Sequence, residues 1–228
     1  MIEKMIDTID PDTVMYLVNA LTFDAQWAAK YEKNDVHDGH FTNYDGTERT
    51  VQMLSSEEHT YLSADGVRGF AKNYAGDRYS IVALLPDEGT DIYDYIGTLD
   101  GAGWMKIWNS RESSSVKVEM PEFTYSASMR LNDTLKAMGM TDMFDSSADF
   151  SKLGYSEHGS IYCSVVCQKV FIQVDRNGTK AAAITWGGIS DEAAPMETRR
   201  IILDRPFVYA IADNATGLPI FIGAVTVL

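Results

Sequence analysis

The feature that most constrains this chain of 228 residues is a segment low in bulky side chains, residues 176–199. It follows an apolar, β-branched run at 161–175, which predicts a long buried strand. Two apolar runs at 200–212 and 218–227 come after it and predict two closing strands. A linker of this length is unusual inside a compact domain and is usually functional or disordered. The segment 176–199 is therefore the first place to look for a function.

Side-chain size alternates within this segment, over residues 178–188. One alternate set is uniformly small, while the other admits Lys180, Ile184 and Trp186. Because side chains of a strand alternate between two faces, the segment could become a strand whose inward face slides between existing strands. An Ala-rich turn or helix is the alternative, since short alternation arises easily by chance. The small set comprises Thr179, Ala181, Ala183, Thr185 and Gly187.

The rest of the chain predicts a meandering, mainly antiparallel sheet with few helices, because strand-like runs follow one another without a βαβ rhythm. Helical spacing occurs at 90–109, where Gly101 and Gly103 interrupt it, and at 128–138, which ends at Gly139. The predicted strands lie at 12–22, 50–54, 59–62, 66–72, 78–85 and 115–125.

Charge and hydropathy exclude several classes of protein. The formal net charge is −14, so a nucleic-acid binder or a protein that binds anionic membranes is disfavoured. No apolar run approaches the ~20 residues that a membrane-spanning helix needs. The excess of acidic over basic residues is explained by the solubility that a net charge gives.

The two cysteines, Cys163 and Cys167, fall in one predicted strand. Four residues along a strand span about 13 Å, whereas a disulfide tolerates Cα separations of up to ~7 Å. We therefore expect both to be free and buried, and to behave as small hydrophobic residues.

Motifs of conventional catalysis are incomplete. Residues 154–158 approach the nucleophile elbow of hydrolases but lack its last glycine. Ser156 stands near His158, yet neighbours in sequence do not make a catalytic triad. We predict that the protein is not an enzyme and requires no cofactor.

Two polar clusters could in principle bind a ligand. His37 and His40 have a spacing found in metal sites, but the surrounding stretch 28–50 is polar and turn-rich, which favours a solvated loop. Glu57 and Glu58 also fall in a loop-like stretch, where a solvated surface is the default. We predict no metal site.

Six motifs resemble those of the serpin family of serine protease inhibitors, and they occur in the family's order. The run VFIQVDRNGTKAAAIT at 170–185 resembles its strand-plus-hinge signature, and LVNALTFDAQW at 17–27 resembles its strand, asparagine and tryptophan element. The remaining matches, VKVEMPEF among them, lie at 116–123, 140–151, 204–207 and 213–225.

The resemblance implies an α+β, serpin-like fold with mixed, mainly antiparallel sheets, a few helices and an exposed reactive-centre loop. Residues 1–228 are expected to form a single serpin-like domain that matches the C-terminal two-thirds of the family's domain, without counterparts of its N-terminal helices. Residues 176–199 are expected to form the hinge and the reactive-centre loop.

A suicide-substrate mechanism is what the resemblance implies for function. A serine-type protease attacks the loop, and the cut loop then inserts as a new strand into the protein's own sheet. Gly178 and Thr179 correspond to the hinge, and Ala181, Ala182 and Ala183 to the run that inserts.

The resemblance also assigns residues of the receiving sheet. Asn19 matches the asparagine of the gate between the central strands, and Trp27 matches the tryptophan at the top of the sheet. Gln168 stands where the family usually has a histidine, so the gate keeps a hydrogen-bonding group but loses a titratable one. Lys169 and Phe171 are expected beside the incoming loop.

In this family the reactive bond lies about one strand length, roughly fourteen residues, beyond the hinge glycine. That position is Glu192–Ala193, with Asp191 or Ala194 as alternative sites. Small or acidic residues imply an elastase-like, subtilisin-like or glutamate-preferring protease as the partner, with no nucleic acid and no membrane. A secreted or extracellular bacterial protein is expected, although no signal-like sequence follows Met1.

Two other functions stay open. A noninhibitory serpin-fold protein would serve as a binding or chaperone-like module, and a truncated chain could be unable to insert its loop. The small inward residues of 178–188 favour inhibition over the noninhibitory role, whereas a truncated chain would be unable to insert its loop whatever the loop's sequence.

Overall fold

A computed structural model of the chain describes residues 15–154, 156, 159–179 and 199–228. The part so described holds thirteen β-strands and three short α-helices, which confirms the predicted α+β class. None of the helices in it is long and apolar enough to cross a membrane. The strands are β1 Tyr16–Thr22, β2 Ala25–Gln26, β3 Val36–Thr42, β4 Glu48–Ala64, β5 Val67–Asn73, β6 Tyr79–Pro86, β7 Glu112–Pro121, β8 Phe123–Arg130, β9 Val165–Asp175, β10 Gly178–Thr179, β11 Arg199–Ile202, β12 Phe207–Asp213 and β13 Pro219–Val225. The helices are α1 Ile92–Thr98, α2 Gly101–Asn109 and α3 Asn132–Ala137.

The chain divides into two compact units, and each is described by itself. The smaller unit comprises Met1–Phe23 and Thr124–Ile172, and the larger comprises Asp24–Phe123 and Gln173–Leu228.

The larger unit is built on eight strands in the order β11-β7-β4-β5-β6-β12-β13, with β3 also paired to β4. Its pairs are antiparallel except for β11 on β7. Strand β6 reads YSIVALLP and is buried from its second residue onward. An apolar run without alternation is expected where both faces of a strand are covered.

Helices α1 and α2 cover part of this sheet. Asp91 caps α1 by accepting hydrogen bonds from the amides of Tyr93 and Asp94, and Asp100 caps α2 through the amide of Gly103. Capping carboxylates satisfy amides that have no partner in the helix. The residues of the shared core are Leu62, Val67, Ala71, Val82, Leu84, Ile92, Tyr95, Trp104, Ile107, Trp108, Val208, Ala210 and Ala212.

In the smaller unit, β1 runs parallel to β9 and β8 also pairs with β9. Asn132, at the start of α3, donates from its amide to the carbonyl of Ser164 and accepts from the amide of Val166. These two bonds fix α3 against the entry to β9.

Several predicted elements were wrong in extent. The strands expected at 50–54 and 59–62 are one strand, β4, with a register shift at Glu58. Ladder bonds to the strands on either side keep its polar middle extended. The polar stretch 28–50 contains β3, and the predicted helix 128–138 is shortened because β8 continues to Arg130.

Burial of the two long strands was also overestimated. From Leu17 to Thr22 every side chain of β1 is exposed, because the described residues of its unit leave both faces open. Strand β9 begins at Val165 and is mostly half-buried. Both cysteines are free, as predicted, but Cys163 precedes β9 and only it is buried. Burial raises the pKa of the Cys163 thiol.

The turn after β12 gives a test of packing. Gly217 has φ of +75°, its carbonyl accepts from the indole of Trp104, and an added Cβ would lie 2.5 Å from Trp108. We expect Gly217→Ala to lower the free energy of unfolding by about 2–4 kcal/mol, from backbone strain and overpacking together.

Gly46→Ala is the matched control, because Gly46 has φ of +82° but nothing within 4 Å of an added Cβ. It should lose only about 1 kcal/mol, from strain alone. Urea unfolding of both variants measures the difference, and equal losses would contradict the packing argument.

Candidate functional site: the hinge

The predicted hinge residues Gly178 and Thr179 form the two-residue strand β10. On one side Gly178 pairs with Asp175 and Thr179 with Val174, at the end of β9. On the other side the same two residues pair with β2, and both ladders are antiparallel. The first residues of the predicted loop are therefore already a strand between two others.

Only glycine fits at position 178. Its φ is +152°, a conformation that side chains rarely adopt. An added Cβ would clash with the carbonyl oxygen of Ala25 and would lie 2.7 Å from Cα of Gln26. The close approach of β2 thus requires a residue without a side chain at this point.

Thr179 is completely buried and lies opposite Val174, which is also buried. Its hydroxyl shares a hydrogen bond of 2.7 Å with the hydroxyl of Tyr74, and either group can donate. A buried hydroxyl needs such a partner. Thr179 therefore lies on the buried face of β10.

Three successive carbonyls hold the hinge turn, which we define as residues 175–177. The indole of Trp27 donates to the carbonyl of Asp175 at 2.8 Å. The backbone amide of Trp27 donates to Asn177 at 3.1 Å, and that of Tyr31 donates to Arg176 at 3.2 Å. We call Trp27 and Tyr31 the clamp residues, because they bond every carbonyl of the turn.

An aromatic cluster packs behind the turn. Trp27 stacks on Tyr74 with ring centroids 4.6 Å apart, and Tyr31 meets Trp27 edge-on at 6.4 Å. Burial raises the pKa of Tyr31 and of Tyr74, so both stay neutral and keep their hydroxyl protons. The ammonium of Lys72 lies 4.4 Å from the centroid of Tyr31.

The carboxylate of Glu58 faces this cluster, which corrects the prediction of a solvated acidic loop. Glu58 is buried in β4 and bonds the Lys72 ammonium at 2.7 Å. Glu57 points to the opposite face and is exposed, where it accepts a hydrogen bond from Ser115. Alternation along β4 thus separates two adjacent carboxylates that the sequence treats alike.

The two predicted gate residues are cross-strand partners in the smaller unit. Asn19 on β1 pairs with Gln168 on β9, and Thr22 pairs with Phe171 six strand positions after the ladder begins at Val165. The side chain of Asn19 is exposed and that of Gln168 is half-buried. Directly opposite residues in a ladder share a face of the sheet.

Other predicted residues lie outside the part of the chain that the structure describes. They are the insertion run Ala181, Ala182 and Ala183 and the reactive bond Glu192–Ala193, together with Asp191 and Ala194.

The histidines of the predicted loop lie in β3 instead. His37 is exposed and stands 3.4 Å from the carboxylate of Glu119. Strand register places His37 and His40 opposite Met53 and Thr50, on opposite faces of the strand. Among the described residues, no group of His, Cys, Asp and Glu side chains could hold a metal ion.

Four residues around β10 were not predicted from the sequence to lie there: Tyr31, Glu58, Lys72 and Tyr74. One signal was available, since Lys72 ends an apolar strand-like run, where a buried lysine requires a partner. The identity of that partner depends on the pairing of β4 with neighbouring strands and was not visible in the sequence.

Comparison with protein families identifies the class of fold. The family model described as "Serpin (serine protease inhibitor)" matches residues 1–228. The chain belongs to the serpin family.

Curated relatives agree with this assignment. An uncharacterized serpin-like protein of Thermococcus kodakarensis is 31% identical over 97% of this chain and 52% of its own length. Plasminogen activator inhibitor 1 of Neovison vison is 32% identical over 96% of this chain and 55% of its own length. The chain spans about half the length of the curated relatives that it matches.

Solved serpins have the same fold. The thermophilic serpin tengpin in its native state is 44% identical, with a TM-score of 0.91 over 100% of this chain and 59% of that chain. Tengpin in its latent state has a TM-score of 0.75 over 90% of this chain and 55% of that one. Most members of the matched family are protease inhibitors, although one solved neighbour is a thyroxine-binding globulin in complex with thyroxine.

The hydroxyl pair of Tyr74 and Thr179 can be tested by a double-mutant cycle. Tyr74→Phe and Thr179→Val should each lower the free energy of unfolding by about 1–3 kcal/mol, because each removes the hydrogen bond between two buried hydroxyls. The double variant should lose clearly less than the sum of both.

Tyr95→Phe is the control for this cycle. The hydroxyl of Tyr95 is buried without a hydrogen-bond partner among the described residues. Its removal breaks no hydrogen bond and relieves an unpaired buried group, so the free energy of unfolding should stay the same or rise. Additive losses at Tyr74 and Thr179, measured by urea unfolding, would show that the two hydroxyls do not interact.

Proposed function

We propose that the protein inhibits serine-type proteases as a suicide substrate, by cleavage within residues 176–199 and insertion of the cut segment as a β-strand. Membership of the serpin family supports the inhibitory class. The observation that carries the finer proposal is β10, in which Gly178 and Thr179 already pair with a strand on each side.

The register of β10 defines where the following residues would go. Each further residue would move one position back along β9, so that Ala182 would face Phe171. On the other side, β10 pairs with β2. If this pairing continued residue by residue back along the chain into β1, Ala182 would lie opposite Thr22. Thr22 and Phe171 are partners of each other in the closed ladder. Two independent registers therefore converge on one insertion path between β1 and β9.

Continuing this path, Thr185 would lie between Asn19 and Gln168. Its hydroxyl can donate to, and accept from, the amide side chains of both. The replacement of the family's usual histidine by Gln168 therefore leaves a partner for the inserted strand at the gate.

The inward face of the inserted strand is set by Thr179, which is completely buried. Period-two alternation places the small residues Ala181, Ala183, Thr185 and Gly187 on the same face. The bulky Lys180, Ile184 and Trp186 fall on the other face. An inserting strand with this pattern needs no large cavity beneath it.

Insertion also supplies enough free energy to drive an irreversible trap. About twelve residues that gain 0.5–1.5 kcal/mol per hydrogen bond yield on the order of 10 kcal/mol. That equals the stability of a typical domain. Attack of the protease serine on the bond gives an acyl-enzyme, and insertion before its hydrolysis carries the protease along.

The partner class follows from the proposed reactive bond Glu192–Ala193. A protease that accepts small or acidic residues before the cut, elastase-like, subtilisin-like or glutamate-preferring, fits this bond. An extracellular location is proposed with this partner class. The bacterial source and the single-domain organisation of residues 1–228 stay predictions.

Incubation with pancreatic elastase and with a subtilisin tests the proposal. We expect a covalent complex that survives denaturing electrophoresis, with a released peptide that begins at Ala193, as measured by mass spectrometry. Cleavage without a complex would overturn the inhibitory function and leave a noninhibitory binding protein or an insertion-incompetent chain.

Thr179→Arg should turn the inhibitor into a substrate. An arginine at this completely buried position would carry a charge inward without a partner, which costs several kcal/mol. Densitometry of the complex and cleaved bands should show nearly all of the variant cleaved.

Lys180→Arg is the control for Thr179→Arg, since alternation places residue 180 on the outward face. It should trap protease as well as the unmodified protein. Equal trapping by Thr179→Arg and Lys180→Arg would contradict insertion in the register of β10.

A further inference from the structure

A buried ion pair lies behind the clamp residues. Lys72 on β5 and Glu58 on β4 are 2.7 Å apart, with side chains 4% and 12% exposed. In every other ion pair between described residues, at least one side chain is 44% or more exposed. The pair is thus distinct from the solvated charges elsewhere in that part of the chain.

Lys72 contacts both clamp residues, and Glu58 is linked to Tyr31 through Ser56. The Lys72 ammonium lies 4.4 Å from the ring centroid of Tyr31 and 5.7 Å from that of Trp27, which are cation–π distances. The hydroxyl of Ser56 lies 2.6 Å from the Glu58 carboxylate and 3.3 Å from the Tyr31 hydroxyl. One cation and one carboxylate therefore fix the orientation of two rings.

Stability alone does not account for such a pair. Removing two charges from water is costly, and well-packed apolar residues of similar size are often as stable or more stable. The directional contacts of an ion pair, by contrast, specify one arrangement among several. At this place the arrangement that they specify is that of Trp27 and Tyr31.

The clamp residues in turn fix the start of β10. Together they bond all three carbonyls of the hinge turn, residues 175–177. The next residue, Gly178, opens the ladder along β9. A slip of one residue at this point would send every following side chain to the other face of the sheet. Lys180, Ile184 and Trp186 would then point inward.

We propose that Lys72 is a positioning residue for strand insertion: paired with Glu58, it holds Trp27 and Tyr31 so that the segment after Gly178 inserts in a single register. This role rests on the proposed inhibitory function. Without Lys72 the start of the strand is less fixed, insertion is slower or slips, and the protease hydrolyses the acyl-enzyme before it is trapped.

The test compares Lys72→Met with the double variant Lys72→Met/Glu58→Leu. The single variant leaves the Glu58 charge buried and unpaired, so it loses stability as well as positioning. The double variant removes both charges and should unfold at or above the temperature of the unmodified protein. Lys106→Met is the matched control, because Lys106 pairs with Asp65 on the surface, with side chains 63% and 56% exposed.

Two measurements separate positioning from stability. The first is the number of inhibitor molecules consumed per protease trapped, which should rise about twofold or more in the double variant despite its retained stability. The second is hydrogen exchange at the amides of Trp27 and Tyr31, which should quicken about tenfold as the bonds to the hinge turn loosen. Lys106→Met should change neither.

A stable double variant that traps protease at the unmodified stoichiometry would overturn the role of Lys72. So would unchanged exchange at Trp27 and Tyr31, a result that does not depend on any protease. If the unmodified protein traps no protease, the inhibitory function itself fails, and exchange at the two amides still decides whether Lys72 holds the clamp.

Discussion

The hydrogen bonds to the three carbonyls of the hinge turn are the interaction on which the candidate site depends. The chain reverses between β9 and β10, and the backbone carbonyls of such a turn need hydrogen-bond donors from elsewhere. Trp27 and Tyr31 supply all three donors, one of them an indole. Because these bonds fix where the turn ends, they also fix which residue begins β10.

The surroundings of β10 explain why Gly178 and Thr179 occupy their positions. Gly178 is required because β2 approaches its backbone too closely for a side chain. Thr179 is accepted inside because the hydroxyl of Tyr74 completes its hydrogen bonding. A small residue with one satisfied polar group can be buried at little cost, whereas a charge cannot. The same requirement extends to each alternate residue that would follow it into the sheet.

The β1–β9 ladder, which would receive the inserted strand, has a matching register. Strand β1 pairs with β9 in a closed ladder, whose partners match the positions that an inserting strand would occupy. Opening such a ladder breaks one set of backbone bonds, and insertion forms two. The gain therefore grows with every residue inserted, and a correct start decides the outcome. A register error at the start of β10 would be carried along the whole inserted strand, and in the proposed mechanism avoiding it would offset the desolvation cost of the buried ion pair behind the clamp residues.

The sequence by itself determined the α+β class, the motifs of the serpin family, the strand that leads into β10 and the alternating small residues that follow it. These are local properties, since period-two alternation and short ordered motifs are readable without knowing which strands pair. Tertiary structure alone decided that β4 is a single strand, that Glu58 is buried while Glu57 is exposed, and that Lys72, Tyr31 and Tyr74 surround the hinge. Residues 31, 58, 72 and 74 are far from residue 178 in the chain, and the strand pairing that joins them depends on backbone hydrogen bonds with no sequence signature. For that reason the segment proposed as the hinge could be located in the sequence, whereas the side chains that surround it could not.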